Sequence, residues 1–477
     1  MKKVKIFVLL LTVSLMVFVI PGCAPTATPT EEVAAPVEAP EAESPTEAPA
    51  EVVTEAPAEV QEPQKLVIWS NLTAEAQQIV LTKQFTEIAE ELGIEIVMEA
   101  VPFKDMYTKL ATAVESGEVP DIMHTNFAGV AYLYSQDMIV PMDDVIDSVG
   151  RVDFIPTYLR VLSADDQTWG IPDWAMHTSV WYRKDLFAEK NLAIPTDWAE
   201  FEAVAEALNI DENNDGNIDI YGFPVPMNPV QVAPQTYYEF LYSAGVYTFD
   251  PVTGEYVFGK QKEKAAEVLD YVINLYKKVS PPSATEWSWN EYRNALVEGT
   301  VAMTLDMGAV IGLAQSNNPD MVAKLGRFDL PGQYGVKYGS FGSGYAFVAS
   351  NQGSEEKIAL TKEIMKLLYT PERAAERALS RPMFAFPSMY TALGIYKQDP
   401  SVAMFQDEIT TITDAFENSN WYWYGMEHGL SQMSSQIEAT TFFGEAMQSV
   451  ALGQMTSAEA VDYIDENLQE QLSIIGE

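Results

Sequence analysis

The feature that most constrains this chain is a switch of hydrophobic period that begins at Lys65 and repeats. KLVIWS is a short apolar run of strand type, and AEAQQIVLTKQFTEIAEEL then shows helical spacing, which predicts Ile79, Phe85, Ile88 and Leu92 on one buried face. Gly93 stops that helix, and IEIVMEAV is a second strand. FKDMYTKLATAVESGEVPDIMHT continues with a helix, a stop at Gly117, then Pro120 and another strand. A βαβαβ opening of this kind predicts an α/β fold with mainly parallel sheets flanked by helices, whose ligands bind at the carboxyl ends of the strands. At 477 residues the chain exceeds what one core fills, so two lobes are expected.

Everything before Lys65 has another character. Residues 24–64 hold ten Glu and eight Pro with no basic residue, a composition that cannot bury a core and reads as an extended tether. Ahead of it, Lys2, Lys3 and Lys5 precede the apolar run FVLLLTVSLMVFVI, an export signal too short for a comfortable membrane span. That run ends in Ile20, Pro21, Gly22 and Cys23, similar to a bacterial lipobox, so residues 1–22 read as a lipoprotein signal peptide and Cys23 as the lipidated residue. With one cysteine there is no internal disulfide, thiolate zinc site or CxxC pair. His124, His177 and His428 are the three histidines, none at metal-binding helical spacing from another. The net charge of −41 repels nucleic acid and anionic membrane, which leaves lipid anchoring as the expected membrane contact.

Several segments, in order, resemble the family 1 extracellular solute-binding proteins of ABC importers. They are KLVIWSN, VPDIMHTNFAGVAYLYSQDMIVPMDDVI, WGIPDWAMHTSVWYRKDLFAEKNLAIPTDWAEF, WNEYRNALVEGTVAMTLDMG and the Gly-rich YGSFGSGYAFVAS. The resemblance spans residues 65–477. It implies a two-lobe flytrap with discontinuous lobes and crossings near residues 174–177, 303–306 and 345–350. The first lobe is then expected from 65–175 and 304–347, the second from 176–303 and 348–477. It further implies a monomer that captures a sugar or oligosaccharide by lobe closure, then hands it to the transmembrane subunits of a permease. No GxxxxGK[ST] occurs, so the importer's ATPase must be another chain.

Sugars offer an apolar face to aromatic rings and hydroxyls to polar side chains. Expected ligand contacts are Trp69 and Asn71 after the first strand, His124 and Asn126 after the third, Asp173 and Trp174 at the first crossing, and Phe341 and Ser343 in the Gly-rich crossing. Trp421 and Trp423 join them from WYWYG, the densest aromatic group in the chain. Met176 stands where maltose-binding members carry a glutamate, which argues against maltodextrin. No Arg or Lys lies in these loops, which favours a neutral ligand. A secreted glycoside hydrolase using paired carboxylates is a competing reading, as is a calcium-braced surface scaffold.

The loop DENNDGNIDIYGF begins like a calcium cage. Asp211, Asn213, Asp215 and Asp219 supply side-chain oxygens, Asn217 a backbone carbonyl, and Gly216 the sharp turn. Its twelfth position is Gly222, where an EF-hand requires Glu, so any calcium would be a structural brace rather than a switch. The same residues also favour a turn without metal.

Overall fold

The computed structural model describes residues 64–229, 232–336, 338–339, 342–418, 425–438 and 440–475. The predicted opening is present: β1 (Lys65–Ser70), α1 (Glu75–Leu92), β2 (Glu95–Ala100), α2 (Phe103–Ser116), β3 (Ile122–Asn126) and α3 (Phe127–Ser135). Gly93 takes φ +66° and its N–H caps α1 on the Ala89 carbonyl, the left-handed ending that glycine tolerates without a Cβ clash. The buried face of α1 differs from the predicted one. Ile79 is 60% exposed, and Gln77, Leu81, Gln84, Phe85 and Ile88 face inward. Polar Gln84 is buried because its amide meets Arg377 and Glu376 there, which an apolar-periodicity count cannot register.

Two sheets follow. In the first, β2, β1 and β3 run parallel, and three antiparallel strands extend it: β4 (Ile171–His177), β8 (Gly342–Ala349) and β9 (Phe386–Pro387), in the order β9-β4-β8-β3-β1-β2. The second is a three-stranded antiparallel sheet of β5 (Ser179–Arg183), β6 (Met303–Asp306) and β7 (Leu325–Phe328), with β5 central. The α/β class stands, but only the first sheet has the expected parallel strands, in mixed direction, and the second is wholly antiparallel.

The strands also depart from the expected division of the chain. Thr178 alone separates β4 of the first sheet from β5 of the second, two residues beyond the expected boundary. Residues 303–306 and 325–328 pair with β5 in the second sheet, so 304–347 is not one first-lobe segment. Beyond residue 348, helices Glu355–Leu368 and Pro371–Leu379 pack on α1, while Phe442–Ala451 and Ser457–Ile475 pack against helices Val232–Ser243 and Lys262–Val279. The return to the first sheet is thus longer than the sequence suggested. Loop-rich crossings carry too little periodicity to mark where a chain changes sheets.

Candidate ligand cleft at the lobe seam

At the end of β4 the chain leaves one sheet for the other, and β8 lies alongside it with Tyr345 opposite Trp174 and Ser343 opposite Met176. Cross-strand pairing sets the two rings face to face: Trp174 and Tyr345 stack with centroids 4.4 Å apart and planes at 22°, and Phe384 closes the group 5.7 Å from Trp174. Ser343 and Ser179 carry buried hydroxyls whose oxygens have no hydrogen-bond partner. Buried polar atoms are ordinarily paired, so hydroxyls left open at a seam between two lobes are candidates to meet a ligand.

The second lobe brings charge to the same place. Helix Val232–Ser243 presents Gln235 and Glu239, whose carboxylate accepts from the Gln235 amide at 3.3 Å and also bonds Thr178 in the crossing. Burial pushes the Glu239 carboxyl up to about 8, so it is largely protonated at neutral pH. Helix Trp289–Glu298 presents Tyr292 and Arg293, both bonded to Asp306 Oδ2, at 3.2 and 2.6 Å. Phe223, Gln235, Glu239, Trp289, Tyr292 and Leu305 line a narrow recess between these helices and β6. His177, at the end of β4, is buried and held neutral, its pKa lowered to about 4 by loss of water.

The residues expected to hold ligand divide sharply. Trp174 and Ser343 sit at the seam. His124 and Asp173 do not offer themselves to a ligand: His124 Nε2 lies 3.0 Å from Asp173 Oδ2, and Arg377 Nε donates to Asp173 Oδ1 at 2.7 Å, all with side chains 2% exposed or less. Burial would raise the Asp173 carboxyl, but Arg377 and the His124 hydrogen bond outweigh it and hold it below the usual carboxylate range. His124 also meets Ser70 Oγ through Nδ1 at 3.3 Å and stacks on Phe347 at 4.0 Å. These two residues tie the sheet together.

Asn126 caps α3, its Oδ1 accepting the Gly129 N–H at 2.9 Å. Trp69 and Asn71 pack on α2: Lys109 Nζ sits 4.3 Å over the indole, and the Asn71 amide donates to Met106 Sδ at 3.1 Å. Phe341, Trp421, Trp423 and Cys23 lie outside the described residues. Sequence reasoning missed Glu239, Tyr345, Phe384 and Arg381. Tyr345 stood within the Gly-rich crossing already singled out. Glu239 stood in an all-buried helix, where a lone acid is itself a signal.

The loop at 211–219 lies apart from this seam. Ile210 bridges Ile220 at its base, Asp211 accepts the N–H groups of Asp215 and Gly216 at 3.1 and 2.8 Å, and Asn213 Oδ1 accepts Asp215 N–H at 2.8 Å. Asp215 accepts from the Asn217 backbone, which lowers its pKa, and Asp219 accepts Glu212 N–H at 2.8 Å. The side-chain oxygens are turned onto the loop's own N–H groups as nested Asx turns. Among the described residues no three carboxylate, imidazole or thiol groups converge as a metal site would require.

A two-lobe α/β scaffold with an aromatic stack and unpartnered hydroxyls between its lobes is an arrangement suited to a small-ligand site. The model of the bacterial extracellular solute-binding protein family matches residues 69–375, and the chain belongs to that family. Among solved structures it is similar to a solute-binding protein of an ABC transporter from Agrobacterium radiobacter K84 in complex with ribitol (TM-score 0.71, 19% identity, covering 86% of this chain and 99% of that one). Maltose-bound T. maritima MalE3 is similar too (TM-score 0.70, 18% identity, 86% and 100% covered). So is a Thermotoga lettingae solute-binding protein bound with α-D-tagatose (TM-score 0.67, 21% identity, 85% and 99% covered). At these identities the likeness establishes the fold. YcjN of Escherichia coli (strain K12), which carries the name of an ABC transporter periplasmic-binding protein, is 26% identical over 235 residues, 48% of this chain and 52% of that protein. The chain thus spans about half the length of the curated relatives it matches. No helix among the described residues is long and apolar enough to cross a membrane.

Proposed function

We propose that this protein captures a sugar or oligosaccharide between its lobes and delivers it to the permease of an ABC importer. The observation that carries the reading is the Trp174–Tyr345 stack, set at the seam beside the unpartnered hydroxyls of Ser179 and Ser343. A flat ring pair suits the C–H face of a pyranose, and open hydroxyls suit its rim. The sugars bound by the structural neighbours support the same class. In this reading the chain is a monomer that binds without turnover and is held to the membrane through lipid on Cys23.

Intrinsic tryptophan fluorescence, titrated with a panel of mono- and oligosaccharides, tests it. A saturable response to at least one sugar, lost in Trp174→Ala, is expected. A flat response to every sugar sinks the reading, and hydrolysis of a labelled oligosaccharide moves the protein to the glycoside hydrolases. Calcium in the 211–219 loop is a separate proposal, supported by the alternation of its oxygen residues. An ion there would draw Asp211 and Asp215 from their present N–H partners and brace the second lobe. Melting curves with calcium against EDTA would rise by a few degrees with metal, and superimposable curves would dismiss it.

A further inference from the structure

We infer that the ligand is an acidic saccharide, one carrying a carboxylate or phosphate group that Arg381 receives at the lobe seam. This deepens the sugar reading and rests on it.

Arg381 follows the helix Pro371–Leu379 and lies in the first-lobe loop whose Met383 carbonyl presses on Gly308 of the second lobe, only 2.0 Å from where a Cβ at Gly308 would stand. Its guanidinium carbon lies over the Phe384 ring, 3.6 Å from the centroid, and Phe384 belongs to the Trp174–Tyr345 aromatic group. Among the described residues no carboxylate pairs with it. The side chain is partly exposed, in a chain with 69 acidic and 28 basic residues.

Asp306 attracts Arg381 through space, but no surrounding carboxylate bonds it. Asp306 is engaged by Arg293 at 2.6 Å, by Tyr292 at 3.2 Å and by the Val310 N–H at 3.1 Å. Glu239, the other acid facing the seam, is held in its neutral form by burial. Arg293 adds a second cation that opposes Arg381, and loss of water lowers Arg381 to about 10 while leaving it charged at neutral pH. The seam therefore holds one planar donor fork with no directly bonded carboxylate beside an aromatic platform. A guanidinium fork matches a carboxylate or phosphate in two parallel hydrogen bonds, and a stacked ring pair matches a sugar face. The absence of basic residues from the predicted ligand loops pointed to a neutral ligand; the fold brings in a cation from a segment about 40 residues after the Gly-rich crossing.

The test is calorimetric titration of the full chain with matched pairs: glucuronate against glucose, galacturonate against galactose, the corresponding uronate disaccharides against their neutral counterparts, and glucose 6-phosphate as the phosphate arm. One acidic member should bind at least about tenfold more tightly than its neutral match. Arg381→Gln should erase that preference, and Arg381→Lys should retain part of it. Melting of each ligand-free variant checks that it folds. Preference for uronates places a carboxylate at Arg381, and preference for the phosphate arm places a phosphate there. Neutral sugars binding as tightly as their acidic matches, or a preference that survives in a folded Arg381→Gln, overturns the inference and leaves the sugar reading intact. No binding by any saccharide, acidic or neutral, overturns both.

Discussion

Arg377 and Arg381 stand one helical turn apart in sequence, and the fold treats them in opposite ways. Arg377 sinks into the first lobe and is paired there: its Nε donates to Asp173 Oδ1 at 2.7 Å, Gln84 Oε1 and the Leu368 carbonyl accept from Nη1 at 2.9 Å each, and the rings of Phe347 and Tyr369 lie 5.7 and 5.2 Å away, with only Nη2 lacking a partner among the described residues. Arg381 reaches the lobe seam and rests on Phe384 with no carboxylate bonded to it, Asp306 attracting it only through space. Burying a cation is costly unless it is paired, and the first arrangement offsets that cost within the lobe. In the second, the cation stays partly exposed and lacks a direct pair. A charge satisfied internally belongs to the framework, and one left open at a seam belongs to whatever enters there.

The comparison breaks most readily at Arg377. Arg377→Gln strands the Asp173 carboxylate in a dry environment and should lower unfolding free energy by about 3–5 kcal/mol, read by urea denaturation. A loss below about 1 kcal/mol would mean that the His124–Asp173–Arg377 network does not hold the lobe.

The next effect is a pH dependence that separates seam from framework. Glu239 is raised to about 8 in the folded state, so its contribution is present at low pH and fades as pH climbs through that value. Stability should fall by on the order of 1 kcal/mol per pH unit approaching pH 8, and Glu239→Gln should flatten the slope. His177, lowered to about 4, acts in the other direction: its contribution is lost as pH drops from about 6.5 toward 4. The two windows oppose each other below pH 6.5, so the Glu239 effect is cleanest between about pH 6.5 and 8. Denaturation midpoints flat across that interval in the unmodified protein would contradict a buried, protonated Glu239.

The smallest effect is the sharpest contrast. Arg381→Gln should shift ligand-free stability by less than about 1 kcal/mol in either direction, because no internal pair is broken. A loss comparable to that of Arg377→Gln would show that Arg381 is structural after all.

Legibility followed the range of the interactions involved. The opening strands and helices, Gly93 as the end of α1 and Trp174 near a crossing were readable because period, cap and turn are local properties. His124 and Asp173 were read as ligand contacts because the sequence placed them after a strand and at a crossing; both lie within strands, and their partner Arg377 lies 204 residues after Asp173, beyond any local pattern. Asn126 was read the same way, although an Asn before a helix is also a capping signal. The return of residues after 348 to the first lobe was invisible for a related reason: helix periodicity shows which face is buried, never against which sheet.

By itself the sequence determined the α/β alternation, the two-lobe class and the family, since these follow from period, breakers and ordered motifs along the chain. It also displayed Arg373, Arg377 and Arg381 at intervals of four, with nothing to tell them apart. Tertiary structure alone decided that Arg373 meets Glu87 near the surface, Arg377 is consumed in a buried network and Arg381 stays open at the seam. The physical reason is that a charge takes its role from the groups that desolvate and pair it, and those groups arrive from distant parts of the chain.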